Sequence, residues 1–170
     1  AAFVDGPWAL AVARGEEVWR ATAAIEPAAR GVPVAVARLV RSDGSSMGEQ
    51  RLADPARFTG PIALVVGAEN ASAAEVVAHA LVAGVGARVV GERTAGNVEA
   101  VQAHVLPDGS RVLVAIADLR GASGASLTGG VRPDVEARAT VRDLARGVDP
   151  PVAEARRWLG ALPFTPGRYF

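Results

Sequence analysis

The stretch GPIALVVGAENASAAEVVAHALVAGVGARVVGE, Gly60 to Glu92, decides how this chain folds. GPIALVVGA is a short, continuous apolar run with β-branched residues, as a strand buried on both faces requires. Ala73 to Ala83 then reads as a helix, with Val76, Val77, Ala80 and Leu81 on one apolar face. Gly84 and Gly86 stand where a helix C-terminus favours glycine. ARVVGE, Ala87 to Glu92, is a second buried strand. Strand, helix and strand predict a βαβ unit with parallel strands and a right-handed crossover.

Ser72 sits at the junction between strand and helix, and two readings of it stay open. Ser72 and Glu75 have the spacing of a capping box, in which the hydroxyl and the carboxylate each bond a backbone amide. A serine at the positive end of a helix can also be a nucleophile, because free amides there can hold a developing oxyanion. A nucleophile needs a base within about 3 Å. The chain has two histidines. His79 is seven residues further along the same helix, roughly 10 Å away at 1.5 Å per residue, and is expected to pair with Glu75 at i,i+4. His104 falls in a strand on the side of Gln102 and reads as half-exposed.

Outward from this unit the pattern is mostly β. Trp8–Val12 and Glu17–Ala21 suit short strands around Arg14-Gly15, and Gly31–Gly44 suits a strand ending in an Asp-Gly turn. SDGSSMGEQRLADPARFTG is rich in turn formers and reads as a loop. VQAHVLPDGSRVLVAIADL reads as a hairpin about Pro107-Asp108-Gly109. RGASGASLTGGVRPD reads as a loop in which Pro133-Asp134 fixes the path. Asp149 caps a helix with prolines in its first turn and Val152, Ala155, Leu159 and Leu162 on one side. That helix, 149–162, is expected to dock on the body. The tail from Pro163 to Phe170 is expected to fray or to add to a partner. Trp8, Trp19 and Trp158 read as core or docking anchors.

The 170 residues, half of them hydrophobic, suit one domain, and their formal net charge is zero. A balanced charge argues against a nucleic-acid partner, and no apolar run approaches the ~20 residues that span a bilayer. There is no cysteine, which excludes disulfides and thiolate chemistry. No metal or cofactor motif is apparent, and no phosphate-binding glycine loop. All 18 basic residues are arginine. Arginine stays protonated, so no lysine amine is at hand as a general base. The first residue is Ala and no signal peptide is evident, which suggests a processed or trimmed chain.

Four segments in order, GPIALVVGAENASAAEVVAHAL, ARVVGERTAGN, VLPDGSRVLVAIADL and SLTGGVRPDVE, resemble the catalytic core of the carboxy-terminal processing peptidases, or tail-specific proteases, over about Gly60 to Glu136. The resemblance implies a fold of the Clp protease and crotonase kind: a spiral of βαβ units with an added hairpin and C-terminal helix. It implies Ser72 as nucleophile, the amide of Ala73 as one oxyanion donor, and an unstructured polypeptide substrate. A peptide ligand and a homo-oligomer are both compatible with it, and the family is often exported. The pattern departs at the base. Where the common branch ends TxGK in lysine, TAGN has Asn97, 25 residues after Ser72. Gln102 is the counterpart of a glutamine that orients that lysine, with one inserted residue. A second branch, resembling the tricorn core protease, uses an earlier histidine, and here none precedes residue 79. The glycine-rich DLRxNxGG segment and a PDZ module are not found. The chain is therefore expected to be an incomplete or impaired peptidase, with a non-catalytic peptide- or lipid-binding module as the alternative. The GERTAG wording also resembles retinoid-binding relatives of these proteases.

Overall fold

The computed structural model describes residues 8–14, 17–27, 33–53, 58, 60–121 and 123–162. Four strands come first: β1 (Trp8–Arg14), β2 (Glu17–Pro27), β3 (Pro33–Arg41) and β4 (Ser46–Ala53). The decisive stretch follows as β5 (Ala63–Val66), α1 (Ala73–Val85) and β6 (Arg88–Gly91). Then come β7 (Ala100–Val105), β8 (Arg111–Arg120), β9 (Val135–Glu136), α2 (Val141–Ala145) and α3 (Pro150–Ala161). The strands form two sheets. One is antiparallel, in the order β4-β3-β2-β1-β8-β7; the other is parallel, in the order β5-β6-β9.

The expected βαβ unit is present: β5 and β6 pair in parallel, with α1 between them. One such unit is seen among the described residues, joined to an antiparallel sheet in a mixed α/β arrangement. Gly86 ends α1 in the left-handed conformation at φ 64°, whereas Gly84 lies inside the helix. The buried face of α1 differs from the expected one. Glu75 and Ala78 are its buried residues, while Val77 is 57% exposed. Ala78 packs with Val66, Val89 and Val131 in the core, and Val90 and Val98 are fully enclosed. The inward rotation of the helix goes with Glu75, whose buried carboxylate is bonded to Thr94 and Gly96.

The segment read as a loop contains β4, a correction. Its composition suits a turn only at the start, where Gly44 has φ 84° and the Asp43 carboxylate accepts from Ser45 N at 2.8 Å. Beyond it, β4 lies at the sheet edge and needs no apolar alternation. Its pairing with β3 is reinforced by charge. Arg38 on β3 donates to Glu49 on β4 at 2.7 Å and also to Glu26 on β2. Arg51 donates to Glu49 at 2.6 Å. Hydrogen bonding to Arg38 holds the Glu26 carboxyl below its ordinary range, and bonding to Arg51 first, then Arg38, does the same for Glu49. Val36, between Ala24 and Arg51 in register, is buried at 1% exposure.

The hairpin β7–β8 closes at Pro107-Asp108-Gly109, with Gly109 at φ 83°. Asp134 fixes its loop by accepting from Val89 N at 2.8 Å. Asp149 caps α3 by accepting from Val152 N at 3.0 Å. This helix does dock: it packs on β5 and β6, buries Pro151 and Ala155, and sets Trp158 against the Arg88 guanidinium at 5.6 Å. Leu159 stays 37% exposed. Trp19 is half-buried. The side chain of Trp8 and the tail from Pro163 lie outside the described residues.

Truncating Val90 to Ala removes buried apolar surface at the centre of the parallel sheet. It is expected to lower the unfolding free energy by about 2 kcal/mol. Val77→Ala, on the exposed helix face, should change it by less than about 0.5 kcal/mol. Urea unfolding of both variants checks the assignment of the buried face.

Candidate active site

The site is built around the first turn of α1. Ser72 is the N-cap residue, and its backbone is at φ 56°, ψ −124°. Among the described residues it is the one non-glycine with positive φ. Such a conformation costs on the order of 1–3 kcal/mol in a residue with a Cβ and persists only where its surroundings enforce it. Two acceptors do so: Ser72 N donates to Asn97 O at 2.8 Å and to Glu75 Oε2 at 3.1 Å. The glutamate arm of the expected capping box is thus present. The Ser72 hydroxyl has the capping-box placement toward the Glu75 amide but makes no cap hydrogen bond there, and Ser72 is exposed. The positive φ belongs to the kind of strained strand-to-helix turn that presents a nucleophile to solvent.

Glu75 is wholly buried. Its Oε1 accepts from the Thr94 hydroxyl at 2.5 Å and from Gly96 N at 2.7 Å. The Thr94 hydroxyl in turn accepts from Val131 N at 2.7 Å. One carboxylate therefore ties the start of α1 to the loop 94–97 and, through Thr94, to the loop 129–131. Further bonds run in parallel: Ala95 N donates to Asn70 O at 2.9 Å, and Thr94 N to Val131 O at 3.1 Å. The loops touch backbone to backbone. At Gly96, with φ 81°, an added Cβ would lie 2.9 Å from the Gly129 backbone. At Gly130, with φ 75°, it would lie 2.6 Å from Thr94 O. Both glycines are required by this closeness as well as by their dihedrals. Thr94-Ala95-Gly96 is thus more than a connection leaving β6: it is half of the cradle under Ser72.

The expected site residues divide. Ser72, Ala73 and Asn97 are brought together. Ala73 is the first residue of α1, and its amide has no partner among the described residues. Asn97 takes part through its backbone carbonyl, and its side chain is in an exposed residue. Gln102 stands apart on exposed β7, opposite Val114, with no hydrogen bond to Ser72 among the described residues. His104 lies on the same strand, opposite Val112, and is exposed rather than half-exposed. The expected pairing of His79 with Glu75 is also corrected. Glu75 turns inward to Thr94 and Gly96, and His79 Nε2 is buried without a hydrogen-bond partner. Its imidazole borders a separate cleft of about 410 Å³ with Arg88, Arg132, Asp134 and Trp158. Burial lowers its pKa, and the Glu75 charge opposes that shift in part.

Chemically, the arrangement offers an exposed hydroxyl, a free amide beside it and the positive end of a helix. Among the described residues no side chain that could take the proton hydrogen-bonds the hydroxyl. No cluster of three or more metal-ligating side chains exists among them either.

The comparisons agree with this architecture. The model of peptidase family S41 matches residues 14–137, and the chain belongs to that family. The match begins far upstream of Gly60, so it takes in β2 to β4. A Parabacteroides merdae ATCC 43184 protein, assigned by inference as a peptidase, aligns over 67% of this chain at 22% identity with a TM-score of 0.56. The photosystem II D1 C-terminal processing protease aligns over 81% at 27% identity, with a TM-score of 0.47. The chain spans 37% of the first protein's length and 33% of the second's. No curated protein matches it.

Glu75→Ala leaves two buried donors, the Thr94 hydroxyl and Gly96 N, without their acceptor, while Ser72 N keeps Asn97 O, and is expected to cost about 3 kcal/mol in unfolding free energy. Glu75→Gln can keep an acceptor for Thr94 and Gly96 but sets an NH₂ group against Ser72 N, and should cost roughly half as much. Denaturant titration of the pair checks the order. His79 yields a pH dependence. Its lowered folded pKa means that the unfolded chain binds the proton first. Its contribution is therefore intact above the unfolded value of about 6.5 and is lost as pH falls toward the folded value. The urea midpoint should drop as pH falls below about 6.5, and His79→Gln should flatten that slope.

Proposed function

We propose that this chain is a single peptidase-core-like domain of the serine type, related to the carboxy-terminal processing proteases, with Ser72 as nucleophile and a proton acceptor missing from its site. The strained backbone of Ser72 carries the reading. A cap serine gains nothing from φ 56°, and an exposed serine whose hydroxyl makes no cap hydrogen bond suits attack on a carbonyl. The reaction would be acyl transfer: Ser72 Oγ bonds the peptide carbonyl carbon, the amine leaves with a proton, and water then hydrolyses the ester. The amide of Ala73 and the helix end would stabilise the oxyanion. Asn97 stands where the family pattern has its base, so the proton goes to water, or to a group supplied by a part of the protein outside this chain. A stacked spiral of βαβ units belongs to the same reading, with β5, α1 and β6 as one of them.

The missing base also supports a second reading, a peptide-binding module that does not turn over. The lipid-binding version has less support, because Val66, Ala78, Val89 and Val131 fill the space between α1 and the parallel strands.

A fluorophosphonate probe tests the first reading. Ser72 should label slowly, faster as pH rises, and not at all in Ser72→Ala. Asn97→Lys should accelerate labelling by roughly 10²-fold or more, the usual scale for a positioned general base. Absence of label at Ser72 in both the parent chain and Asn97→Lys selects the binding module.

A further inference from the structure

The cleft beside His79 is a second place where chemistry-bearing side chains converge. Its volume is about 410 Å³, and it lies between the C-terminal half of α1, the start of β6, the loop 130–134 and α3. None of Ser72, Ala73, Glu75 or Asn97 lines it. Val82 and Trp158 give it apolar walls, and Arg88, Arg132 and Asp134 give it charge. Burial lowers the His79 pKa, so the imidazole is neutral near pH 7. The two guanidiniums and one carboxylate then leave a single positive charge in excess.

The anionic group of the cleft is already engaged. Val89 N donates to Asp134 Oδ2 at 2.8 Å. Among the described residues neither Arg88 nor Arg132 stands in an ion pair, whereas Arg38, Arg51, Arg120, Arg138 and Arg157 do. Two atoms of the lining side chains, His79 Nε2 and Arg88 Nε, are buried with no hydrogen-bond partner among the described residues. Folded proteins rarely leave such atoms unmet. The Arg88 guanidinium lies over the Trp158 ring, 5.6 Å from its centroid. A guanidinium on an aromatic face still has its edge donors for an oxyanion.

We propose that this cleft binds a small organic monocarboxylate, with its carboxylate on Arg88 and Arg132 and its apolar body against Trp158 and Val82. The volume falls in the ~300–1,000 Å³ range of small-molecule pockets, more than a bare inorganic anion fills. One negative charge balances the lining. A dianion would overcharge a site that already holds Asp134, and a neutral ligand would leave both guanidiniums unmet. The carboxylate oxygens supply acceptors for Arg88 Nε, and for His79 Nε2 when that nitrogen carries the ring proton. Both atoms are covered in this structure, so seating the ligand moves Arg88 relative to the Trp158 ring. The site is independent of the Ser72 reading. Trp158 also lies beyond the residues, 14–137, that match the family, so one wall of the cleft stands outside that match.

The probes are phenylacetate and octanoate, added to the full chain and followed by tryptophan fluorescence and by amide and indole chemical shifts. At least one of them should bind saturably in the millimolar range or tighter, with shifts at Gly86, Val89, Arg132 and the Trp158 indole. Tighter phenylacetate assigns a flat body to the ligand, and tighter octanoate an aliphatic one. Trp158→Phe should remove the fluorescence change. Arg132→Gln, at an exposed residue, should weaken binding tenfold or more while the thermal midpoint stays unchanged. Ser72→Ala should bind as the parent chain does. The proposal is overturned if neither carboxylate binds saturably, if 2-phenylethanol binds as tightly as phenylacetate, or if Arg132→Gln has no effect. Inorganic phosphate binding more tightly than both carboxylates also overturns it, since the cleft then takes a bare anion.

Discussion

A carboxylate with no solvent exposure must be met by hydrogen-bond donors, and Glu75 is met by three. Desolvating a charge costs several kcal/mol unless donors replace the lost water. The donors come from Ser72, Thr94 and Gly96, so satisfying Glu75 obliges α1 and the loop after β6 to meet. Thr94 passes the constraint on to Val131. Gly96 and Gly130 follow from it, since no Cβ fits where these loops cross. The strain at Ser72 also follows, since its amide is drawn to both Glu75 and Asn97.

That geometry separates two elements of serine chemistry. Stabilising the oxyanion needs only fixed dipoles, and the helix end with its free Ala73 amide offers them without a charged side chain. Removing the proton needs a titratable group at hydrogen-bond distance. In a chain whose basic side chains are all arginine apart from two histidines, few groups qualify. His79 points to its own cleft and His104 sits on an exposed strand. The buried carboxylate nearest in sequence is occupied with structural donors. Among the described residues the first requirement is met by backbone groups, and no titratable side chain hydrogen-bonds the Ser72 hydroxyl.

Charge is distributed in the antiparallel sheet to a different end. The lattice of Glu26, Arg38, Glu49 and Arg51 covers Val36 and finishes the β4 side. Exposed pairs of this kind contribute little each, but a shared network orders several long side chains at once. Its effect is best seen as keeping that edge closed. The β7 side has no counterpart, and it is the side that adjoins the candidate active site.

Much of this fold was legible from local pattern. Continuous apolar runs gave β5 and β6, Pro-Asp-Gly gave the hairpin turn, and Asp149 with its prolines gave the start of α3, because each signal acts within a few residues. β4 was not legible, since an edge strand held by cross-strand ion pairs has the composition of a loop. The inner face of α1 was also misread: the largest apolar residues suggested it, yet the face that carries the buried Glu75 carboxylate and Ala78 is the one turned inward. The sequence by itself determined that a serine stands at a helix start, three residues before a glutamate, with Asn rather than Lys at position 97. Only the tertiary structure decided that this glutamate is the hub of the site. Its partners lie 19 and 21 residues away along the chain, and nothing in a local spacing distinguishes a carboxylate that reaches back to cap from one that also reaches across to bind two loops together.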